Sequence, residues 1–438
     1  MKKIFAIMLS VLTVLLSIAS CRQNADVSDE STSLSTSELV ESTETEAPIV
    51  YNTYDISSFS ISFKDVNDMD CATFFKEQIK KKVGVDISIA RSTTEKKYEF
   101  LIGNSGREIS KAYFDAPYAE NAAKYGVVID GTKVFLAGRS KLVIMESIKY
   151  FIEKYVGDTT KIKLEDKVTD LIEIDPASVS IPVKSDVNGI RFVTNNILKQ
   201  SVVARESAQR GEDLKRAYLI LKPDVVAMQE VDSLWIEKYS LESLMGEIGY
   251  KMTPVGNKKH SNPIIYNEKT VKLIDSGYKT YGATDALGQY KSYQWALFEQ
   301  LATGKRFIAV STHFISGNYN SQRTQCANQL AKEIKKIASD NGNVPVIIGG
   351  DFNTEPSTSA CTVLKSSFNF ARETCKSKVN MEYCTANNFG EPPVKGDSID
   401  HVFYSKSGVT AKHFETVIST FTYCYADHVP VCFDCTLD

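Results

Sequence analysis

The sequence predicts an α/β protein: a long region of alternating strands and helices, preceded by a small α+β module. Three observations carry this. From residue 190 onward, short apolar runs alternate with stretches of helical periodicity. Several of those runs, such as "DVVAMQEV" and "VPVIIGGDFN", are apolar at successive positions, as expected for sheets covered on both faces. Between residues 97 and 157, a strand, a hairpin and an amphipathic helix follow one another. At 438 residues and 43% hydrophobic content, the chain has room for about two domains.

In the first module, "KYEFLIG" (97–103) reads as a strand ending in glycine. "YGVVIDGTKVFLAG" (125–138) is two apolar runs joined by Asp130-Gly131, a strong hairpin signal. "SKLVIMESIKYFIEKYVG" (140–157) spaces Val143, Ile144, Ile148, Phe151, Ile152 and Tyr155 along one helical face and stops at Gly157. The module is expected over 50–178, and the Pro-containing "DPASVSIPVKSDV" (175–187) is the expected linker. Over 186–438 the expected order is "IRFVTNNI", a helix over 203–221, "DVVAMQEV", "PIIYN", "WALFEQL", "RFIAVSTHF", a helix over 321–339, "VPVIIGGDFN", "SIDHVFYS" and "ADHVPVCFDCTL".

The first residues have a different logic. "MKKIFAIMLSVLTVLLSIASC" joins two lysines, an apolar run and small residues before Cys21, the pattern of a secretory signal. "IASC" resembles a bacterial lipobox, which implies removal of 1–20, lipidation of Cys21 and membrane contact through that anchor alone, outside the cytoplasm. Residues 21–48, rich in Ser, Thr and Glu, cannot bury enough surface to fold and read as a tether. The other cysteines are Cys71 and seven beyond residue 325, an odd number in one region, with no zinc-like spacing. Cys375–Cys384 is either a bridge across a loop or a pair of buried thiols.

Net charge is −3, and residues 186–438 hold 28 Lys and Arg against 27 Asp and Glu. That balance argues against a tight, sequence-independent nucleic-acid binder, while leaving room for a local basic groove.

Polar residues end many of these strands. "VIIGGDFNTEP" (346–356) finishes an apolar run with Asp351 and Asn353 two residues apart, and on an extended chain those side chains would point the same way. Asn196, Glu230, His313, Asp400, Asp427 and His428 end or begin other runs. Strand ends combine a rigid scaffold with free loops, so catalytic groups gather there. Carboxylates and amides are hard oxygen ligands suited to Mg²⁺ or Mn²⁺. Histidines add acid/base groups that titrate near neutral pH. Together they are what hydrolysis of a phosphate ester requires.

In order, "TNNI", "QEVD", "STHF", "GGDFN", "SIDHV" and "ADHVPV" resemble the endonuclease/exonuclease/phosphatase superfamily. The superfamily includes pancreatic-type deoxyribonuclease, deadenylases, inositol-polyphosphate phosphatases and bacterial sphingomyelinases. The resemblance spans 188–438 and implies a four-layer α/β/β/α sandwich of two mixed sheets. It also implies a Mg²⁺-dependent phosphoesterase acting on nucleic acid, phospholipid or sugar phosphate. Glu230 would be the principal metal ligand, with Asn196 and Asp427 near the metal. Asp351 would orient or deprotonate water, and Asn353 would hold a phosphate oxygen. His428 would contact the phosphate, held by Asp400. His313 matches a second acid/base histidine whose orienting partner is not apparent. His401 follows Asp400 on an extended chain and should face away, whereas His260 and His413 read as surface residues. Trp295 and Phe298 read as core, and Gly349 and Gly350 as points where backbone and substrate come close.

"FLIGNSGRE…YGVVIDGTKVFLAGRS" is similar to the small accessory domain that precedes the catalytic barrel in some family-20 glycoside hydrolases. That similarity implies glycan contact by the module, which contains no convergent acid, base or metal cluster.

Overall fold

The computed structural model describes residues 50–174, 184, 186, 188–202, 207–256, 262–389 and 391–438. The signal segment, Cys21, the tether, most of the linker, residues 203–206 and His260 lie outside the described residues. Ile49–Asp438 forms one compact unit.

The first module is built on a six-stranded mixed sheet in the order Ser88–Arg91, Ser60–Phe63, Glu99–Ile102, Lys133–Ala137, Lys124–Asp130, Lys167–Glu173. The expected hairpin is present: Asp130 pairs with Lys133, and Gly131 takes φ 56°, which glycine adopts without penalty. Helices Met69–Val83 and Lys141–Tyr155 cover one face through Phe75, Ile79, Ile148 and Phe151. Tyr113, on helix Glu108–Asp115, packs on the other face.

Beyond residue 188 the principal elements are β1 (Gly189–Asn196), α1 (Ser207–Leu221), β2 (Val225–Gln229), β3 (Tyr290–Gln300), β4 (Arg306–His313), α2 (Asn320–Asp340), β5 (Val346–Asp351), α3 (Ser359–Ser367), β6 (Asp400–Tyr404) and β7 (Val431–Leu437). A seven-stranded sheet runs Tyr250–Met252, Ile264–Asn267, β2, β1, β7, Val409–Thr416, Ser377–Val379. A six-stranded sheet runs Val271–Thr284, β3, β4, β5, β6, Asn369–Phe370. Phe192, Phe298, Phe307, Ile347, Phe414 and Phe433 belong to the core between the sheets. Leu214 and Tyr218 of α1 cover the outer face of the first sheet. On α2, Cys326, Leu330 and Ile334 recur every four residues, so one stripe is buried against the second sheet. The result is the four-layer α/β/β/α sandwich, and burial on both faces explains the unbroken apolar runs.

The two glycines of "VIIGGD" serve this packing rather than substrate. A Cβ on Gly349 would lie 2.5 Å from Phe192 Cε1 of the facing sheet, and one on Gly350 would lie 2.2 Å from the Thr312 carbonyl oxygen of β4. Close approach is needed, but between strands.

The sheets change near the expected boundary at 178, yet the apolar core continues across it. Tyr118, Ala122 and Val143 share a cluster with Leu214 and Tyr218 of α1. The Tyr118 hydroxyl donates to the Glu212 carbonyl at 2.9 Å, and Lys215 Nζ lies 3.9 Å from the centre of the Tyr118 ring.

One expectation is corrected, and one open alternative is decided. His413 is buried, with Nδ1 2.8 Å from Ser377 Oγ and Nε2 3.0 Å from Glu415 Oε2, because a cross-strand polar row shields it. Cys375 and Cys384 are both free thiols, as are all described cysteines. Among the described residues, no helix is long and apolar enough to cross a membrane.

Candidate active site

Register brings the site together. His313 pairs with Asp351 across the parallel β4–β5 ladder, and Asp351 with Asp400 across the antiparallel β5–β6 ladder. One rung of the second sheet therefore carries an imidazole and two carboxylates. On the facing sheet, Asn196 pairs with Gln229, and Glu230 follows directly. The sheets meet where Asn196 Nδ2 donates to Asp351 Oδ2 at 3.0 Å. His313 Nε2 lies 3.4 Å from that same oxygen.

The remaining groups arrive on loops. An isolated bridge between Ala386 and His428 seats the loop before β7 beside β6. There His428 Nδ1 donates to Asp400 Oδ2 at 2.8 Å. Asp351, Asp400 and His428 offer ligating atoms that all lie within 4.8 Å of one another. Thr385 Oγ1 accepts from the Asp400 amide at 3.1 Å and fixes the start of β6.

Charges follow from burial. Asp351 is pushed up to about 7, first by desolvation and then by the Asp400 carboxylate. His428 is pushed up to about 10: desolvation opposes its charge, but Asp400, Asp351 and Asp427 together outweigh it. The ring is thus an imidazolium at neutral pH. Asp427 is raised, chiefly by desolvation, and the Glu230 charge adds to the effect.

The strand ends are bent. Leu198, Glu230 and Asn353 take φ 54°, 61° and 49°, a left-handed conformation that non-glycine residues adopt at a cost of about 1–2 kcal/mol. Asn353 is therefore not on an extended chain, and strand alternation is not what sets its direction. Its amide donates to Asp351 Oδ1 at 2.8 Å, closing a tight turn, and its Nδ2 donates to the Phe314 carbonyl at 3.1 Å.

Lys291 was not apparent as a site residue. It lies one position before Ser292, which pairs with His313, and its Nζ is 3.2 Å from His313 Nε2. Burial pulls its pKa down, while Glu230 and Asp351 favour its charge. The only sequence signal is one cation at the start of the strand pattern "YKSYQWALF". His401 faces away as expected, its Nε2 donating to the Thr354 carbonyl at 2.8 Å. Phe298 is core and Trp295 packs against the α2 side of its sheet.

The oxygen-rich donor set fits a hard divalent cation. Buried Oδ1 atoms of Asp400 and Asp427 have no hydrogen-bond partner, and such orphaned acceptors are the residue of a missing positive charge or donor. Of the expected ligands, Glu230 and Asp427 are partly exposed, whereas Asn196 is buried.

A four-layer sandwich with an imidazolium–carboxylate pair, a second histidine and hard oxygen groups at one rim assembles the groups that hydrolysis of a phosphoric ester requires. The model of the Endonuclease/Exonuclease/phosphatase family matches residues 196–428, just over half the chain, and the chain belongs to that family. It is 27% identical over 185 residues to a probable RNA exonuclease of Schizosaccharomyces pombe, covering 38% of this chain and 37% of that one. It is 27% identical over 165 residues to the protein angel of Drosophila melanogaster, covering 34% and 45%. The chain thus spans less than half the length of these curated relatives. In shape it is similar to the endonuclease/exonuclease/phosphatase from Bacteroides vulgatus, at TM-score 0.49 and 22% identity over 57% of this chain and 99% of that one. Members of the family are phosphoric ester hydrolases, and dependence on a divalent metal is typical of them.

Proposed function

We propose that residues 186–438 form a Mg²⁺-dependent phosphodiesterase, with single-stranded nucleic acid as the favoured substrate class. The observation that carries the reading is the single rung His313–Asp351–Asp400 closed by Asn196 from one side and His428 from the other. The 27% identity to a probable RNA exonuclease supports the nucleic-acid preference. Inositol or sugar phosphates and phospholipids are the alternative substrates, and a non-enzymatic surface binder is the rival of a different class.

Glu230, Asn196 and Asp427 would hold the metal. A divalent cation there supplies charge compensation for the phosphoryl oxygens and favours hydroxide over water. Asp351, with a pKa raised towards neutrality, orients and deprotonates the attacking water. The second amide hydrogen of Asn353 addresses a phosphate oxygen. His428, cationic and fixed by Asp400, contacts the phosphate from the other side. His313, beside Lys291, serves the leaving oxygen or a second phosphate oxygen.

The domain division at 50–178 and 186–438, the signal segment 1–20, the tether 21–48 and lipidation at Cys21 belong to the same proposal. It displays the enzyme outside the cytoplasm on one lipid anchor, with glycan contact by the first module. The test uses bis-p-nitrophenyl phosphate, single-stranded DNA, duplex DNA, RNA, inositol phosphates and phospholipids, each with and without EDTA. Cleavage of single-stranded nucleic acid that EDTA abolishes is expected. Activity that ignores EDTA overturns the metal reading, and turnover of monoesters alone overturns the diesterase reading. Radiolabelled palmitate incorporated in a bacterial host, and lost in Cys21→Ala, tests the anchor.

A further inference from the structure

We infer that Arg210 is a positioning residue that sets both flanks of the active site, an inference resting on the ligand roles proposed above. Arg210, on α1, is 1% exposed. Its Nε donates to the Tyr425 carbonyl at 2.6 Å, its Nη1 to Gln200 Oε1 at 2.9 Å, and its Nη2 to the carbonyls of Ile197 and of Leu198, the latter at 2.9 Å. The guanidinium sits over Trp235 at 4.9 Å from the ring centre, and Trp235 Nε1 donates to the same Leu198 carbonyl at 2.9 Å.

The carbonyls it takes are telling. Ile197 follows Asn196, and the amide of Lys199 in the same loop donates to Glu230 Oε2 at 3.3 Å. Tyr425 lies two residues before Asp427. The β1–β7 ladder ends at the pair Thr194–Val431, so sheet hydrogen bonds do not reach from Asn196 to Asp427. Arg210 spans that gap. Asn195 Nδ2 also donates to the Tyr425 hydroxyl at 2.8 Å, but that bond fixes a side chain, whereas Arg210 fixes backbone on both sides. A planar fork with five N–H groups can serve several carbonyls at once, and an ammonium cannot reproduce it. All three proposed metal ligands, Asn196, Glu230 and Asp427, are thus indexed to one buried side chain.

The test compares Arg210→Lys and Arg210→Met with wild type in the full chain. It measures Mn²⁺ binding by electron paramagnetic resonance, kcat and KM on bis-p-nitrophenyl phosphate, hydrogen exchange over 195–200 and 424–429, and Tm. Both variants should bind Mn²⁺ at least about tenfold more weakly, as removal of groups behind metal ligands commonly does. Loss should fall on kcat more than on KM, and both segments should exchange faster while β4 and β5 keep their protection. If Arg210→Met does not fold, Arg210→Lys carries the comparison. Wild-type Mn²⁺ affinity and protection in Arg210→Lys would overturn the inference, as would activity lost only in proportion to unfolded protein. If the wild type itself binds no Mn²⁺ and hydrolyses nothing, the functional reading fails. Exchange then still decides Arg210: faster exchange in both segments supports it, and unchanged protection overturns it.

Discussion

Asn196 and Asp351, 155 residues apart, are joined by a 3.0 Å hydrogen bond that crosses from one sheet to the other. The bond makes the site a property of the sandwich, since neither sheet alone assembles it. Asn196→Asp would set a second carboxylate against Asp351 in a buried setting. The variant should be less stable than wild type in EDTA by about 1–3 kcal/mol. It should regain more stability than wild type on adding Mn²⁺, because a cation relieves the new repulsion. Urea denaturation with EDTA and with Mn²⁺ measures both; an Asn196→Asp as stable as wild type in EDTA would remove the bond from the account.

Glu230 is partly exposed, and a glutamine keeps an oxygen to accept from the Lys199 amide, so removing its charge should not unsettle the core. Glu230→Gln should leave Tm in EDTA nearly unchanged. It should lose the rise in Tm that Mn²⁺ gives the wild type, since a ligand that binds only the folded state stabilises by mass action. Turnover should fall on the order of 10³-fold, the scale of several kcal/mol of lost charge compensation. His428→Ala is a less clean probe. It strands the buried Asp400 carboxylate and should lower Tm as well as activity.

Much of this site could be read from residue order. Strand ends carrying Asn196, Glu230, His313, Asp351 and Asp400 do converge, because an apolar run followed by a polar residue is a local signal, and His428 joins them from a loop. Direction was less readable. Strand alternation would put Asn353 on the same face as Asp351, but the strand ends at Asp351 and Asn353 itself takes a left-handed turn. His413 looked like a surface residue because nothing local announces a polar row spanning Ser377, His413, Asp434 and Arg191. Lys291 and Arg210 are single cations whose partners lie in other elements, so their roles exist only once strands are paired. Gly349 and Gly350 were noticeable, but the neighbour each must admit was not.

Gly349→Ala tests the packing role. Its Cβ would meet Phe192 Cε1 at 2.5 Å and Thr194 Cβ at 2.8 Å on the facing sheet, and neither strand can retreat without opening the core. Destabilisation of about 1–3 kcal/mol is expected from overpacking. Because Thr194 lies two residues before Asn196, activity in the folded fraction should fall too. A Gly349→Ala protein with unchanged urea midpoint would mean that the sheets can separate there at no cost.

His401 gives a pH dependence of stability with a definite sign. Its ring is fully buried beside Phe352, Phe370 and Phe403, with Nδ1 unpartnered, and desolvation pulls its pKa from 6.5 down to about 4. The unfolded chain therefore takes up a proton on this ring below 6.5, whereas the folded chain resists until about 4. Stability from this group is fully present above the unfolded value and is lost as pH falls between the two. The loss approaches about 3 kcal/mol near pH 4. His401→Gln keeps an amide donor for the Thr354 carbonyl but has nothing to titrate. Urea midpoints near pH 7.5 and near pH 4 should show the wild type losing about 3 kcal/mol more than the variant. Equal losses would place the acid sensitivity of the fold elsewhere.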